Sequence, residues 1–476
     1  MIFINNYSIR QWFGLYLGPT LAFILYFIPT ITNLSNEARA VLAVTVFIAI
    51  WWITEPIPMA LTSLLPLILL PVTGGTSYET TSSAYMNPLV LMFLGGFTIA
   101  LAIEKWNLHK RIAMLILLVI GTTSKRILLG ISLGTAFLSM WISNAATALM
   151  MLPVALALIT EVKEQNLFDQ QSFQSFSKAL LLIVAYSASI GGLATLIGSV
   201  PNAVFAGVMS SILHQEISFA TWFFFAFPVT VVMLILLFVL INYQFPIHHN
   251  AKIPVSFVHK QLLKLGILTK EEKLIFLVFL LTASLWIFSE FIPLHLTDSS
   301  IALIGALSLF FIPSSNKHAL LTWMDLKKIP WSILLLFGGG LSIATAFAES
   351  NLTNWIGGYF SSLSNYPYSL ILIIFATAVL FMTEIMSNTA ISNMFIPISI
   401  GLATVIGVEP FGLMAIVALS STCAFMLPIS TPPNAVVFGV KYLSSKDMLK
   451  TGWRLNVLAI FVIVAAVYFL LPSVFS

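Results

Sequence analysis

The chain alternates long apolar stretches with short polar ones from end to end. Apolar segments lie near 12–33, 39–54, 57–73, 88–104, 127–162, 179–213, 217–243, 273–293, 297–313, 330–348, 368–404, 410–443 and 454–475. A membrane-spanning helix needs about 20 apolar residues, and most of these segments are of that size. The strands of a membrane barrel would alternate apolar and polar residues over about ten positions, whereas these runs are unbroken. The pattern predicts an all-α polytopic membrane protein. Four segments, 127–162, 179–213, 368–404 and 410–443, are long for one crossing and are interrupted by polar or Gly/Pro-rich stretches.

Lysine and arginine decide how the long segments run. They sit at 105–126, 163–178, 252–273, 317–328 and 441–454, with Arg10 at the start. Let 127–162 and 368–404 be re-entrant hairpins and every other segment cross once. The chain then makes 11 transmembrane crossings, with the N-terminus cytoplasmic and the C-terminus outside, and of 21 Lys and Arg residues only Arg39 falls outside. Cytoplasmic loops carry the excess of basic residues. Were either hairpin to cross, the basic loops after it would fall on the wrong side.

Composition narrows the class further. Charged residues make up 8% of the 476, and hydrophobic ones 59%. A soluble domain is roughly 25% charged, so a water-facing surface cannot be built. The net charge of +4 follows from the positive-inside bias and does not imply nucleic acid. The single cysteine, Cys423, excludes internal disulfides and thiolate metal clusters. No cleavable signal peptide is evident. The seven histidines, His109 among them, fall in or beside loops and are expected to be solvated; Trp51, Trp52, Trp331 and Trp453 read as an interfacial belt.

The two hairpin segments repeat each other. Ser143-Asn144-Ala145-Ala146 with Pro153 corresponds to Ser387-Asn388-Thr389-Ala390 with Pro397, 244 residues on. The same offset takes Gly95-Gly96 to Gly339-Gly340 and Asn107-Leu108 to Asn351-Leu352. Residues 197–204 match 429–436 at an offset of 232. Five crossings separate the hairpins, so the second copy is inverted, a common plan of secondary transporters. A helix that stops at a Ser-Asn pair frees carbonyls on one side, which suit a hard cation, and N–H groups on the other, which suit an anion. An Asn amide both accepts and donates. Glu55, Glu104, Glu290, Asp298 and Glu384 are scattered. Glu384 stands three residues before Ser387, inside the second hairpin; orienting the tip, a part in coupling and plain solvation are its candidate roles. No paired nucleophile and base, metal cluster or phosphate-binding loop is present, which argues against an enzyme.

With its paired Ser-Asn tips and the matching Gly198-Ser199-Val200-Pro201-Asn202 and Ser430-Thr431-Pro432-Pro433-Asn434 loops, the chain resembles the divalent anion:sodium symporter family of dicarboxylate and tricarboxylate transporters. The resemblance implies a homodimer in the cell membrane, each subunit holding a scaffold and a transport domain that moves as an elevator. Scaffold helices would occupy 1–126 and 273–365. The transport domain would occupy 127–243 and 366–476, with 244–272 as a cytoplasmic loop. Carried over by position, Ser139, Ser143, Asn144 and Gly198 would form one sodium site, and Thr383, Met386, Asn388 and Ser430 the second. Substrate would meet Asn144, Ser199, Asn388, Thr389, Thr431 and Pro432. Na⁺ is the implied co-transported ion, with no organic cofactor. The leading expectation is a Na⁺-coupled symporter of succinate, malate or fumarate; a dicarboxylate exchanger, or a citrate or sulfate carrier on the same fold, is the alternative. An anion channel would not need two midplane breaks with ion ligands.

Two positions depart from the family. Ala145 stands where the first tip usually has Thr, and Val200 where the first loop usually has Pro. The first half thus lacks one substrate hydroxyl, a loss on the order of 0.5–1.5 kcal/mol. Ala145→Thr is expected to shift affinity or preference among dicarboxylates; an unchanged profile in a competition uptake assay would rule this out.

Overall fold

The computed structural model describes residues 7–27, 34–247, 254–289, 296–316 and 318–475, with the side chains of 255–257 excepted. Glu290, His248, His249, His295, Lys252 and Lys317 lie outside the described residues. Among those described, the regular structure is helical, with one isolated bridge between Pro313 and Ala319. Eight described helices are long and apolar enough to cross a membrane, and five shorter apolar ones accompany them. The protein is a multi-pass, all-α membrane protein.

Both hairpin segments break at their Ser-Asn pairs. Helix Ser124–Ser139 stops, residues 140–143 turn, and helix Asn144–Glu164 begins with the Ser143 hydroxyl accepting from the Ala146 N–H. Helix Tyr368–Thr383 stops, residues 384–387 turn, and helix Asn388–Ile406 follows until Gly407 takes a left-handed conformation. Adding 244 to Ser124, Ser139 and Asn144 gives Tyr368, Thr383 and Asn388, the corresponding helix ends. The second pair of breaks obeys its own offset: helices Val200–Leu213 and Pro432–Phe438 start 232 residues apart. The helices Asn144–Glu164 and Asn388–Ile406 have 21 and 19 residues, as long as a span. Their re-entrant course therefore rests on the distribution of charge, not on length.

Three segments differ from the sequence reading. The basic stretch 105–126 is not all loop: Leu108–Ile120 is a helix whose Leu108, Arg111, Met114 and Leu117 are buried while Lys110 and Val119 are exposed. This spacing of three and four residues is the mark of an amphipathic helix. It starts from Asn107, held in the left-handed region at φ 55°, and its repeat partner Asn351 starts Leu352–Gly358 at φ 60°. The segment 57–73 is two short helices, Met59–Thr62 and Pro66–Val72, broken ahead of Pro66. Proline fits the first turn of a helix, where its missing N–H would have no partner in any case. Third, Ser445–Val474 runs as 30 residues with a π-turn over Ala466–Leu470.

The chain forms two compact units. The first comprises Met1–Leu91, Val200–Ile217 and Pro330–Ser421; the second comprises Met92–Ser199, Ser218–Ile329 and Thr422–Ser476. Each holds one hairpin. These units are defined by packing, not by motion.

In the first unit, the helices Asn36–Thr54, Trp331–Glu349 and Leu352–Gly358 bury Ile48, Trp52, Phe347 and Leu352 with Ala390 of the second hairpin. Trp52 is 1% exposed and donates to Ser63 Oγ at 3.0 Å, so it belongs to this core and not to an interfacial belt. Trp331 and Trp453 are about half exposed, as belt residues are.

In the second unit, helix Gln170–Gly191 is buried on all sides from Ala179 to Gly191. Gly191 packs directly on the Ala136 backbone of the first hairpin, where a Cβ would overlap the Ala136 carbonyl. At the polar rim, Arg111 is buried and pairs with Glu272 at 2.8 Å, and its guanidinium also donates to the carbonyls of Leu265, Gly266 and Ile267. His109, expected in solvent, is 3% exposed with Nδ1 3.3 Å from Ile103 O, and burial lowers its pKa. The helix in a supposed loop carries both residues inward.

Gly191→Val is expected to destabilise the protein by about 1–3 kcal/mol through overpacking. Gly358, around which a Cβ would meet nothing within 4 Å, is the control. Thermal unfolding of the detergent-purified chain should fall for Gly191→Val and stay level for Gly358→Ala.

Candidate functional site

The first break builds a cluster of oxygens within the second unit. Ser139, the last residue of its helix and fully buried, places its hydroxyl 2.8 Å from Asn144 Oδ1 and 2.6 Å from Ala188 O. With the amide turned over, Asn144 Nδ2 would donate to Gly198 O at 3.1 Å, Ser139 Oγ at 2.8 Å and Ala188 O at 3.0 Å. The head of Asn144 thus faces three oxygens. With its nitrogen inward the amide satisfies them by hydrogen bonds. With its oxygen inward the amide accepts from the Ser139 hydroxyl at 2.8 Å, beside the Gly198 and Ala188 carbonyls, and the group is a set of uncharged oxygens. Uncharged oxygen ligands suit a hard ion of low charge.

Supporting residues fix this geometry. Gly192 leaves room for the amide, since a Cβ there would overlap Asn144 Oδ1. Thr195 donates to Met140 O in the hairpin break and accepts from the Gly198 N–H at 3.0 Å, tying the two interruptions together. Trp222 Nε1 donates to Leu193 O at 3.1 Å. Trp141, in the hairpin break, stacks on Phe219 with centroids 5.8 Å apart. Ser143, expected as a ligand, instead caps its helix by accepting from the Ala146 N–H at 3.4 Å.

The second hairpin repeats the arrangement within the first unit. Thr383 Oγ1 lies 2.8 Å from Asn388 Oδ1 and 2.8 Å from Ser421 O. Thr383 takes the part of Ser139, Asn388 that of Asn144, and Ser421 O that of Ala188 O. Here Ser387 makes no side-chain capping bond. Met386 lies in the break, its N–H bonded to Met382 O at 3.0 Å. Asn388 and Thr389 are half-buried, and Glu384, which closes the first helix of this hairpin, is 3% exposed.

Ser430, Thr431 and Pro432 belong to the second unit. The Ser430 hydroxyl donates to Leu427 O at 2.8 Å and accepts from Asn434 Nδ2 at 3.1 Å. Asn434 Nδ2 also reaches Ala424 O at 3.1 Å and Leu427 O at 3.0 Å. One buried amide thereby holds the non-helical stretch 423–431 in shape. Tyr186 adds a bond from its hydroxyl to Phe425 O at 2.7 Å. Thr431 caps helix Pro432–Phe438, and Pro432 is exposed. Ser199 is 7% exposed with its Oγ 2.9 Å from Thr422 Oγ1.

The structure brings together Ser139, Asn144 and Gly198, and separately Thr383 and Asn388. It adds Ala188 O, Ser421 O, Gly192, Thr195 and Tyr186, which the sequence motifs did not include, and it gives Asn434 of the second loop motif a supporting role. The close pair Gly191-Gly192 followed by Thr195 was a visible signal for two of them. Among the described residues there is no group of three or more His, Cys, Asp or Glu that could hold a metal; the oxygens here come from hydroxyls, amides and backbone.

Comparison with known proteins gives concordant results. The family described as the sodium:sulfate symporter transmembrane region matches residues 10–473. The sodium-dependent dicarboxylate transporter SdcS of Staphylococcus saprophyticus subsp. saprophyticus is 42% identical over 483 residues, covering 99% of this chain and 93% of its own. SdcS of Staphylococcus aureus is 40% identical, covering 98% and 92%. Among solved structures, the Alcanivorax borkumensis YdaH transporter aligns with a TM-score of 0.57 over 96% of each chain at 12% identity, a likeness of fold. With residues 10–473 matched and relatives of 40–42% identity covering nearly its whole length, the chain belongs to the sodium:sulfate symporter family, the divalent anion:sodium symporters.

Proposed function

We propose that the chain is a Na⁺-coupled symporter of a small dicarboxylate of the succinate, malate and fumarate class, moving its cargo by an elevator motion. The observation that carries this reading is the doubled cluster: a hydroxyl at a helix end, an Asn amide five residues on, and a carbonyl from a neighbouring helix, built twice. The relatives named as sodium-dependent dicarboxylate transporters support both the ion and the substrate class.

In this reading Ser139, Asn144, Ala188 O and Gly198 O hold one Na⁺, with Ser143 capping the helix that begins at Asn144. Thr383, Asn388 and Ser421 O hold a second, with the backbone of Met386 and Ser430 as further ligands. The carboxylates of the substrate are received by Asn144, Ser199, Asn388, Thr389, Thr431 and Pro432. Charge neutralisation comes from the bound ions and from N-termini of helices that start at the breaks, where the dipole and free N–H groups favour anions. Scaffold helices at 1–126 and 273–365 carry a homodimer in the cell membrane, and 127–243 with 366–476 carry the cargo across. The N-terminus is cytoplasmic and the C-terminus outside. The pairs Lys105–Asp325, Arg111–Glu272 and Lys178–Asp447 each join segments that the charge rule puts on one side, which supports this arrangement.

Labelled succinate should enter proteoliposomes when an inward Na⁺ gradient is imposed and should not when choline replaces it. Equal uptake in both, or counterflow without sodium, identifies an exchanger instead; uptake of sulfate or citrate in preference to succinate moves the substrate class.

Ser139→Ala removes a hydroxyl from the first cluster. The sodium concentration for half-maximal uptake is expected to rise about fivefold, as the loss of about 1 kcal/mol implies. Ser139→Thr, which copies the second cluster, should restore it.

A further inference from the structure

The two clusters each use a carbonyl whose peptide continues into a residue of one hydrogen-bonded pair. Gly198 O faces Asn144 in the first cluster, and the next residue is Ser199. Ser421 O receives the Thr383 hydroxyl in the second, and the next residue is Thr422. Ser199 Oγ and Thr422 Oγ1 lie 2.9 Å apart. Thr422 is fully buried and Ser199 nearly so. These are also two of the places where the chain passes between its compact units, at 199/200 and 421/422.

A peptide group is planar and resists twisting. A cation that pulls on Gly198 O turns the 198–199 peptide plane and moves the Ser199 Cα with it. A change at Ser421 O turns the 421–422 plane and moves the Thr422 Cα. From Gly198 O to Ser421 O the path consists of covalent bonds and planar peptides except for one link, the hydroxyl–hydroxyl bond. Both ends of that link are buried, so water does not readily replace it.

We propose that Thr422 is a positioning residue that couples the two cation clusters: its hydrogen bond to Ser199 makes occupancy of one cluster favour occupancy of the other. The proposal rests on the sodium-site reading above. Coupling through one hydrogen bond is limited to about two- to tenfold in affinity. Coupling is reciprocal, so either ion strengthens the other equally. The same bond bears on substrate, because Ser199 is an expected substrate ligand; when Thr422 donates, the Ser199 proton is free to point at a carboxylate.

The test is the sodium dependence of initial succinate uptake in proteoliposomes containing the full chain. A fivefold coupling between two equal sites gives a Hill coefficient of about 1.4. Thr422→Val should lower it toward 1 and raise half-saturation about twofold, while Thr422→Ser should restore both. Ser199→Ala removes the same bond from the other side and should lower the coefficient alike, and it serves as the test where Thr422→Val fails to fold. The double variant should show no further fall in the Hill coefficient, since for that readout both changes delete one interaction. A lower maximal rate or lower melting temperature with an unchanged Hill coefficient would mean that Thr422 only packs, and would overturn the proposal. Ser139→Ala and Thr383→Ala separate the two levels: if neither alters sodium dependence, the site reading fails; if they do and Thr422→Val and Ser199→Ala do not change the coefficient, the coupling fails.

Discussion

Everything here depends on what a helix does when it stops inside a membrane. Backbone N–H and C=O groups left open in hydrocarbon cost several kcal/mol each. A chain can interrupt a helix there only if other groups take up the loose ends. Among the described residues, the interruptions at 140–143, 192–199 and 423–431 are held by identifiable side chains. Ser143 and Thr431 cap N-terminal amides. Asn434 gathers carbonyls at 424 and 427. Thr195 bonds Met140 O, and Tyr186 bonds Phe425 O. With the breaks supported in this way, the oxygens around Ser139 and Thr383 are the groups to which the proposed sodium sites are assigned.

The duplication shows which features the architecture needs and which it can vary. The offset of 244 preserves the helix ends, the left-handed asparagines and the hydroxyl–amide–carbonyl cluster. It does not preserve charge. Lys105 corresponds to Glu349, and the two engage Asp325 and the hydroxyls of Thr76 and Thr80 respectively. The two helix ends thus differ in charge and partner, while the hydroxyl–amide–carbonyl cluster is repeated.

Much of this was legible because charged residues make up only 8% of the sequence and the interruptions repeat in register. Two Ser-Asn pairs 244 residues apart gave helix ends that the fold reproduces, whereas Ser392-Asn393, without a repeat partner, lies inside helix Asn388–Ile406. Residues that act through their backbone left no such mark: Ala188 and Ser421 sit in helices of ordinary composition, and only packing reveals that their carbonyls point into the clusters. The different surroundings of Ser139 and Ser143, both expected as ligands, form a similar case. Both are serines near the same Asn, but the helix begins at Asn144, which puts Ser143 in the capping position and leaves Ser139 facing the amide. Arg111 and His109 were misplaced because three basic or titratable residues in a row suggest a solvated loop. The apolar positions at Leu108, Met114 and Leu117 fold that row into a helix with one buried side, and Arg111 becomes a clamp on the backbone of residues 265–267.

The Asn144 amide has one more consequence. A carrier must make half of each cycle without cargo, and a site that is stable only when filled would stall on that return stroke. A carboxylate in place of Asn144 would leave a buried, uncompensated charge whenever the ion departed. An amide can rotate by half a turn and meet the same three oxygens with hydrogen bonds. In the proposed sodium-site reading, the empty cluster is hydrogen-bonded and electrically neutral. In that reading asparagine at this position favours turnover over retention, which is what distinguishes a carrier from a storage site.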